Sequence, residues 1–521
     1  MPALSQRRAL LAASAALGLG SVTGLGACGG DDGGRPAAGA PNIVLVTSDD
    51  QALDSFDREA MPRTTELLVD EGTVPEDFIV TTPFCCPSRA SLLTGQYGHN
   101  NGVLANRYAE LEDPESTLPV WLRDAGYTTV HVGKYLNNYD NVSPKVRPAP
   151  GWDGWATVVG SGYYDYPLYG AKGPRDFGSE PSDYLGRVIT RRAVGAVEDA
   201  AGGDRPLFLQ VDYFAPHSNP TDDPRCGDSA LPDARDRGLF RDARAPRPPS
   251  FAEEDVSDKP RFLRRRPLTR RAIEDIDRRF GCQLASMRSV DRGVAAIADA
   301  LEQAGELENT VIAFMSDNAV LRGHHGIAEG KHIPYEETLR VPVALRVPPE
   351  VLGAEAPSVL EGPAANIDLA PTFLDLAGAE PCASAGECRV MDGRSLVPAL
   401  TGSEPLDPDR VRLVEIDESA DPEELVGPCR YRGIYDGSLL YLEHEIAQSV
   451  VTGECVEVED RELYDLADDP FQLENLLPPG GGEEAAERLA TEQAELLELL
   501  HDCRGIEGRD PEPPSGISYC R

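Results

Sequence analysis

Lysine is scarce in this sequence. Among 521 residues, 49 are lysine or arginine, and only Lys134, Lys145, Lys172, Lys259 and Lys331 are lysine. A chain that uses arginine almost everywhere is expected to keep lysine where a compact point charge is needed. Two of these five, Lys134 and Lys331, lie in the motifs described below.

Basic residues of both kinds are outnumbered by acids. The 88 aspartate and glutamate residues give a formal net charge of −39 at pH 7. This balance argues against nucleic acid as a partner. It also disfavours a highly charged polyanion as a ligand, unless basic residues cluster at one site. Most of the acidic side chains are expected to lie at the surface, in contact with water.

Long hydrophobic runs are missing as well. The apolar run Ala9–Leu19 is too short to span a membrane. The preceding Ser5–Arg8 resembles a twin-arginine export signal, and Leu25–Cys28 resembles a bacterial lipoprotein cleavage box. Residues 1–28 are therefore predicted to be an export or lipoprotein signal, and residues 29–40 a flexible tether.

These features predict an exported protein. With Cys28 lipidated, it is a bacterial cell-surface lipoprotein that contacts the membrane only through its lipid anchor. Without lipidation, it is secreted.

The most informative stretch is Cys85–Gly95, which reads CCPSRASLLTG. Pro87 suits the first turn of a helix, because its missing N–H would be unsatisfied there anyway. The free N–H groups of a helix start and the Arg89 guanidinium predict an anion site beside the thiol. The simpler interpretation is a buried cysteine pair beside a helix start.

Acidic and amide side chains follow two buried-strand patterns. Asp49 and Asp50 follow the apolar run 41–48, and Asp317 and Asn318 follow the run 310–316. Strand ends are where open α/β sheets place ligands, and adjacent carboxylates repel unless a cation joins them. Hard oxygen donors suit Ca²⁺ or Mg²⁺.

Basic side chains follow other apolar runs. Lys134 comes after the run 127–132, and His217 comes after the run 206–211. His325 and Lys331 lie in a glycine-rich segment after Asn318. A lone lysine is often only a solvated edge residue, and a lone histidine is usually structural.

The stretch Cys85–Gly95 resembles the signature of the sulfatase family, in which the first cysteine becomes formylglycine. The match falls on Cys85 and leaves Cys86 at the variable position. Gly133–Asn137 and Cys85–Ser91 look most like the N-acetylglucosamine-6-sulfatase branch. Two departures are Leu136, where many sulfatases have histidine, and Ala319, where the family usually has glycine.

The resemblance implies roles for individual residues. The implied metal ligands, for Ca²⁺ more than Mg²⁺, are Asp49, Asp50, Cys85, Asp317 and Asn318. The implied catalytic residues are Cys85, Arg89, Lys134, His217 and Lys331. The implied substrate-binding residues are Lys134, His217, His325 and Lys331.

The function implied by the resemblance is hydrolysis of a sulfuric ester by formylglycine and a bound divalent cation. The expected substrate is a sulfated small molecule or glycan, such as N-acetylglucosamine 6-sulfate. A formylglycine-generating or equivalent maturation enzyme is the expected partner. Two alternatives stay open: a phosphate mono- or diesterase on the same scaffold, and a non-catalytic surface glycan-binding lipoprotein.

The 11 cysteines suit an exported protein. Setting aside Cys28 and Cys85 leaves an odd number, with Cys86 single. The plausible pairs are Cys382/Cys388, Cys429/Cys455, Cys503/Cys520 and Cys226/Cys282. The sequence does not fix this connectivity.

The alternation of strand and helix patterns predicts an α/β fold. Its central sheet is mostly parallel and covered by helices on both faces. Residues 41–400 are the predicted catalytic domain, and residues 401–521 a smaller α+β subdomain with an antiparallel sheet and a terminal helix. Residues 272–304 carry helical spacing that Gly281 can interrupt. Residues 219–270 are predicted to be an insertion that lines the substrate cleft.

Overall fold

A computed structural model describes residues 39–381 except 161 and 266, residues 388–419, and residues 427–520. The predicted signal with Cys28, nearly all of the predicted tether, and Cys382 of the predicted Cys382/Cys388 pair lie outside these residues. Within the described ranges, no helix combines the length and apolarity needed to cross a membrane.

The described residues form fourteen strands. They are β1 (Asn42–Ser48), β2 (Val74–Ile79), β3 (Thr128–Lys134), β4 (Gly154–Val158), β5 (Tyr166–Gly170), β6 (Gly173–Phe177), β7 (Leu207–Asp212), β8 (Thr310–Ser316), β9 (Val343–Arg346), β10 (Val359–Ala365), β11 (Arg412–Asp417), β12 (Pro428–Tyr435), β13 (Leu439–Gln448) and β14 (Cys455–Asp465).

The α-helices of the described ranges vary widely in length. They are α1 (Pro62–Thr65), α2 (Cys85–Thr94), α3 (Gly98–Asn101), α4 (Leu118–Asp124), α5 (Tyr139–Val142), α6 (Leu185–Ala200), α7 (Arg270–Ala304), α8 (Glu336–Leu339), α9 (Pro349–Leu352), α10 (Leu369–Ala377), α11 (Val397–Leu400) and α12 (Glu484–His501).

The central sheet has the strand order β6-β5-β4-β3-β7-β1-β8-β9. The five central strands, β4, β3, β7, β1 and β8, run parallel to one another. The strands at both edges, β5 and β6 on one side and β9 on the other, pair antiparallel. The predicted mostly parallel sheet is therefore confirmed. Strands β2 and β10 form a separate parallel pair.

Both faces of the central sheet are buried. Successive side chains of β1 point to opposite faces. Ile43 and Leu45 pack in a hydrophobic cluster with side chains of α2, α4 and α10, whereas Val44 and Val46 pack with side chains of α6 and α7. Burial on both faces explains why β1 is a continuous apolar run.

Helix α7 is unbroken over 35 residues, so the interruption predicted at Gly281 is wrong. The glycine is there for packing instead. A Cβ on Gly281 would lie 2.3 Å from the carbonyl oxygen of Phe240, which is too close for any side chain. The loop before α7 therefore rests directly on the helix backbone.

The C-terminal part contains the predicted antiparallel sheet, with the order β11-β12-β13-β14, and the terminal helix α12. Asp436 and Gly437 lie in the turn between β12 and β13, as the sequence predicts. Side chains of this sheet and of α12 share one hydrophobic cluster.

Three predicted disulfides are confirmed: Cys226–Cys282, Cys429–Cys455 and Cys503–Cys520. Cys85 and Cys86 are both free and buried.

Candidate active site

Two neighbouring strand ends bring the acidic side chains together. Strands β1 and β8 run parallel, with Ser48 opposite Ser316, so the residues that follow them lie side by side. The backbone N–H of Asp50 donates to Asp317 Oδ1 over 3.2 Å, and Asn318 Nδ2 donates to Asp50 Oδ1 over 2.7 Å. Asp49 joins this group through Arg89, which contacts both Asp49 and Asp317. All four predicted oxygen-bearing metal ligands are therefore part of one cluster.

Helix α2 carries Cys85 into this cluster. Cys85 is its first residue and is fully buried. The thiol Sγ lies 3.6 Å from Asp49 Oδ1 and 4.0 Å from Asp50 Oδ1. One turn later, Arg89 Nε donates to Asp317 Oδ2 over 2.8 Å. The helix start thus places both a thiol and a guanidinium against the strand-end acids.

Two of the five lysines flank Cys85. Lys134, at the end of β3, lies 2.5 Å from Asp49 Oδ2 through its Nζ. The Nζ of Lys331 lies 3.1 Å from Asp50 Oδ1 and 3.3 Å from Cys85 Sγ. Both predicted lysines are therefore in the cluster, each beside one of the two carboxylates that follow β1.

His217 follows β7 and completes the group. Its Nε2 lies 3.5 Å from Lys331 Nζ and 3.5 Å from Asp50 Oδ2. Its Nδ1 lies 2.6 Å from the carbonyl oxygen of Ser218. A proton on Nδ1 satisfies that carbonyl and leaves Nε2 directed into the site.

His325 has different partners. Its Nδ1 lies 2.8 Å from Glu253 Oε2, and its Nε2 lies 3.6 Å from Glu337 Oε2. Burial lowers the pKa of His325, but these two glutamates outweigh it and raise the pKa to about 9. The structure places His325 in this carboxylate pair, and its predicted substrate-binding role stays a prediction.

Burial and opposite charges shift the ionisation of the cluster. Burial raises the pKa of Asp49, but Lys134 and His217 outweigh it and hold that pKa well below its usual range. Burial lowers the pKa of Lys331, yet Asp50 raises it well above its usual range. The lysine is therefore charged.

Two other groups keep their protons more readily. Burial raises the pKa of the Cys85 thiol well above its usual range. Burial and the neighbouring Asp49 carboxylate raise the pKa of Asp317 to about 6. A buried thiol of this kind is a poor nucleophile, because the thiolate is the reactive form.

The donor set fits a divalent cation. Asp49, Asp50, Asp317 and Asn318 supply the hard oxygens that Ca²⁺ and Mg²⁺ prefer. The Oδ1 atom of Asn318 is buried and has no hydrogen-bond partner among the described residues. Such an orphaned acceptor is costly unless a cation or another donor reaches it. Ligand atoms of Asp49, Asp50, Cys85 and His217 also lie within 4.8 Å of one another.

Asp212 is a site residue that the sequence reasoning missed. It ends β7 and is buried, with its Oδ1 3.1 Å from Arg89 Nη1. Its Oδ2 lies 2.9 Å from His131 Nε2 and accepts from Gln210 Nε2. The available signal was an acid at the end of an apolar strand, the same signal that identified Asp49.

A cavity of about 390 Å³ opens over the cluster. Lys134, His217 and Lys331 line one end of it, and Asn106, Arg107, Asn138, Asp140 and Glu418 are among the other lining residues. The predicted insertion 219–270 contributes none of the described lining residues. It instead supplies Glu253, which holds His325.

Fold and site together define an α/β protein in which strand-end acids and three cationic side chains converge on one cysteine. The family model named Sulfatase matches residues 41–379. The chain therefore belongs to the sulfatase family, and the resemblance predicted from its sequence is confirmed.

Curated relatives extend this result. The human N-acetylglucosamine-6-sulfatase is 32% identical over 395 residues, covering 73% of this chain and 68% of that protein. The Drosophila melanogaster extracellular sulfatase SULF-1 homolog is 32% identical over 377 residues, covering 69% of this chain. The match spans only 31% of that protein and 48% of the putative extracellular Sulf-1 homolog of Caenorhabditis elegans.

Solved structures share the fold. One, of a protein in complex with its substrate D-glucosamine-2-N,6-O-disulfate, has a TM-score of 0.69 at 22% identity, covering 88% of this chain and 97% of that chain. The phosphonate monoester hydrolase of Agrobacterium radiobacter has a TM-score of 0.64 at 19% identity, covering 88% and 96%.

Proposed function

We propose that this protein is an exported sulfatase that hydrolyses a sulfate ester of a sugar. It uses a formylglycine made from Cys85 and a divalent cation, Ca²⁺ rather than Mg²⁺. The observation that carries the proposal is the position of Cys85, with Lys331 Nζ 3.3 Å from its Sγ and Asp49 Oδ1 at 3.6 Å.

The environment of Cys85 favours a modified residue over a free thiol. The thiol is fully buried, and its raised pKa disfavours the thiolate. When present, formylglycine would supply, as its hydrate, a nucleophilic hydroxyl and a second hydroxyl that allows the release of sulfate. Maturation by a formylglycine-generating or equivalent enzyme is part of this proposal.

The cation would be held by Asp49, Asp50, Asp317 and Asn318, together with the modified residue 85. It would supply electrostatic activation of the nucleophile and of the sulfate oxygens. The unpartnered Oδ1 of Asn318 supports this assignment.

The remaining roles belong to side chains that line the cavity, to the buried Arg89 and to His325. Lys134 and Lys331 neutralise the sulfate oxygens, and Arg89 orients residue 85 through its contacts with the strand-end acids. His217 Nε2, which lies 3.5 Å from Lys331 Nζ, relays a proton from the charged lysine to the leaving alcohol. We place His325 in the substrate-binding set by its motif position alone.

Relatives guide the choice of substrate. The human and goat proteins at 32% identity are N-acetylglucosamine-6-sulfatases, so N-acetylglucosamine 6-sulfate is the proposed substrate. Extracellular relatives support export. A lipid anchor on Cys28 or, without it, secretion remains our proposal for the location.

Mass spectrometry of the peptide that carries residue 85, from protein made in a cell that performs the maturation, tests the proposal. We expect the mass of formylglycine, and sulfate release from N-acetylglucosamine 6-sulfate by the same preparation. An intact thiol in a preparation that binds glycans without hydrolysing them would favour the surface glycan-binding alternative.

A phosphate or phosphonate esterase is the second candidate. Phosphonate monoester hydrolases are among the structural neighbours, with TM-scores of 0.61 and 0.64. Paired sulfate, phosphate and phosphonate esters of one alcohol separate the two functions. We expect the highest kcat/KM for the sulfate, and a preference for either phosphorus ester would replace the sulfatase proposal.

A further inference from the structure

We infer that the active-site cavity selects sulfate esters whose remaining body carries no further negative charge, and that Arg107, Asp140 and Glu418 set this selectivity. The inference rests on the proposed function and narrows its substrate class.

The positive charge of the cavity is concentrated at its floor. Lys134 and Lys331 lie there with His217, each lysine beside a buried carboxylate. A single sulfate group placed against these side chains would pair with the two lysine ammonium groups. One end of the cavity is thus equipped for one anionic group.

Arg107 is the other cation among the described lining residues, and two acids already hold it. Its Nε donates to Glu110 Oε1 over 2.7 Å, and its Nη1 donates to Glu418 Oε1 over 2.7 Å. The second carboxylate oxygen of Glu418 accepts the backbone N–H of Asn106 over 2.7 Å. Glu418 is buried, and both of its carboxylate oxygens are already hydrogen-bonded.

Asp140 adds negative charge at the same wall. It lies on α5, is exposed, and has no ion-pair partner among the described residues. Because Glu418 and Glu110 already neutralise Arg107, Asp140 leaves the wall with a net negative charge. A second sulfate or a carboxylate entering this space would therefore be repelled and would find no unpaired cation in the described lining.

The rest of the wall suits neutral polar groups. Asn106, Asn137 and Asn138 line it, and Asn137 Oδ1 is buried without a hydrogen-bond partner among the described residues. An amide N–H or a hydroxyl of the substrate can donate to this oxygen. At about 390 Å³, the cavity is at the small end of the ~300–1,000 Å³ range of ligand pockets. The expected substrate body is a neutral, hydroxyl- or amide-bearing ring.

Two sugar sulfates that differ in charge test this inference. Sulfate release at the 6-position is measured for N-acetylglucosamine 6-sulfate and for D-glucosamine-2-N,6-O-disulfate, with enzyme whose residue 85 is shown to be modified. We expect kcat/KM to favour the monosulfate by about tenfold or more. Because the repulsion is electrostatic, the ratio should shrink in about 0.5 M salt.

A charge reversal separates electrostatic from steric selection. The Asp140→Lys variant is expected to reduce the monosulfate preference severalfold, by improving kcat/KM for the disulfate. Asp176→Lys, on the exposed part of β6, changes the net charge equally but is not among the lining residues. It serves as the matched control and should leave the ratio as it is.

Equal or faster turnover of the disulfate would overturn the inference, and so would a ratio that Asp140→Lys does not change. Hydrolysis of neither ester would contradict the proposed function instead. Calorimetric binding of the two esters would then decide the charge preference, with tighter binding of the monosulfate supporting it and tighter binding of the disulfate contradicting it.

Discussion

Arg89 connects the acids of three strand ends beneath Cys85. Its Nε lies 2.8 Å from Asp317 Oδ2, its Nη1 lies 3.1 Å from Asp212 Oδ1, and its Nη2 lies 3.9 Å from Asp49 Oδ2. The planar guanidinium, with five N–H donors and a permanent charge, suits contact with several carboxylates at once. Lysine occupies the positions beside Cys85, where a compact charge is enough.

Replacing Lys134 by alanine should lower kcat/KM for a sulfate ester by about 10²–10³, as expected for the loss of one preorganised charge at a developing oxyanion. Lys134→Arg should not restore the rate, because a guanidinium does not fit in place of an ammonium 2.5 Å from Asp49 Oδ2. Steady-state kinetics measure both.

The control for this change is Lys145→Ala, which alters an exposed lysine. Full activity of Lys134→Ala would show that our anion-binding assignment is wrong.

Asp212→Asn tests the acid that the sequence reasoning missed. The change keeps the shape of the side chain but removes a buried charge that faces Arg89 Nη1 at 3.1 Å. Breaking one partner of a buried pair should reduce the free energy of unfolding by about 3 kcal/mol. Denaturant unfolding measures the change.

Asp153→Asn is the matched comparison. The partner of Asp153 is Arg205, which is half-exposed and whose Nη2 lies 3.3 Å from Asp153 Oδ2. This substitution should cost less than about 1 kcal/mol. Similar losses in the two variants would contradict the assigned difference between the buried and exposed pairs.

At the scale of elements, four adjacent parallel strands deliver the site. Strands β3, β7, β1 and β8 are consecutive neighbours in the sheet, and their carboxyl ends carry or precede the lysine, the histidine and the acids. Helix α2 meets these ends with its first turn. The loop 219–269 is fastened beside them by the Cys226–Cys282 disulfide and by the contact between Glu253 and His325.

The His325 contact predicts a pH dependence of stability. The folded-state pKa of His325 is about 9, above the ordinary 6.5. Its contribution is therefore fully present below about pH 6.5 and is lost as the pH rises through 9. The loss amounts to at most about 3 kcal/mol.

Chemical denaturation between pH 6 and 10 measures this contribution. In the His325→Gln variant, the decline between about pH 7 and 9 should flatten. An equally steep decline in the variant would assign the pH dependence to other groups.

At the scale of the whole molecule, the net charge of −39 contrasts with the local charge of the site. Acidic residues outnumber basic ones over the whole sequence. At the site, in contrast, three cations, Arg89, Lys134 and Lys331, lie around Asp49, Asp50 and Asp317. With Asp212, the cluster holds four buried carboxylates against three permanently charged side chains, and a further cation would balance them. Folding and cation binding should therefore be coupled.

Chelation of divalent cations should lower the Tm of the matured protein, and added Ca²⁺ should restore it. Binding to the folded state alone contributes about 2.7 kcal/mol at a cation concentration of 100 times Kd. Differential scanning calorimetry at matched ionic strength measures the shift. Asn318→Ala should reduce the response to Ca²⁺, because it removes the unpartnered oxygen.

The matched control is Asn309→Ala, since Asn309 is exposed and ends a short 3₁₀ helix before β8. The assigned cation site would be contradicted if neither chelator nor Ca²⁺ changed the Tm of the unsubstituted protein or of Asn309→Ala.

The sequence by itself determined the apolar strands, the helical spacing of residues 272–304 and the motif at Cys85, because these features are local. A continuous apolar run predicts a strand buried on both faces, and β8 has the bounds that its pattern predicts. The acids at the ends of β1 and β8 were also readable, since parallel strands end at the same edge of a sheet.

Only the tertiary structure decided what depends on contacts between distant segments. It placed Asp212 under Arg89, gave His325 two glutamate partners, and kept α7 continuous at Gly281 by close packing on Phe240. It also built the acidic wall of the cavity from Asp140 and Glu418. Each of these depends on chain packing across large sequence separations, which no local pattern encodes.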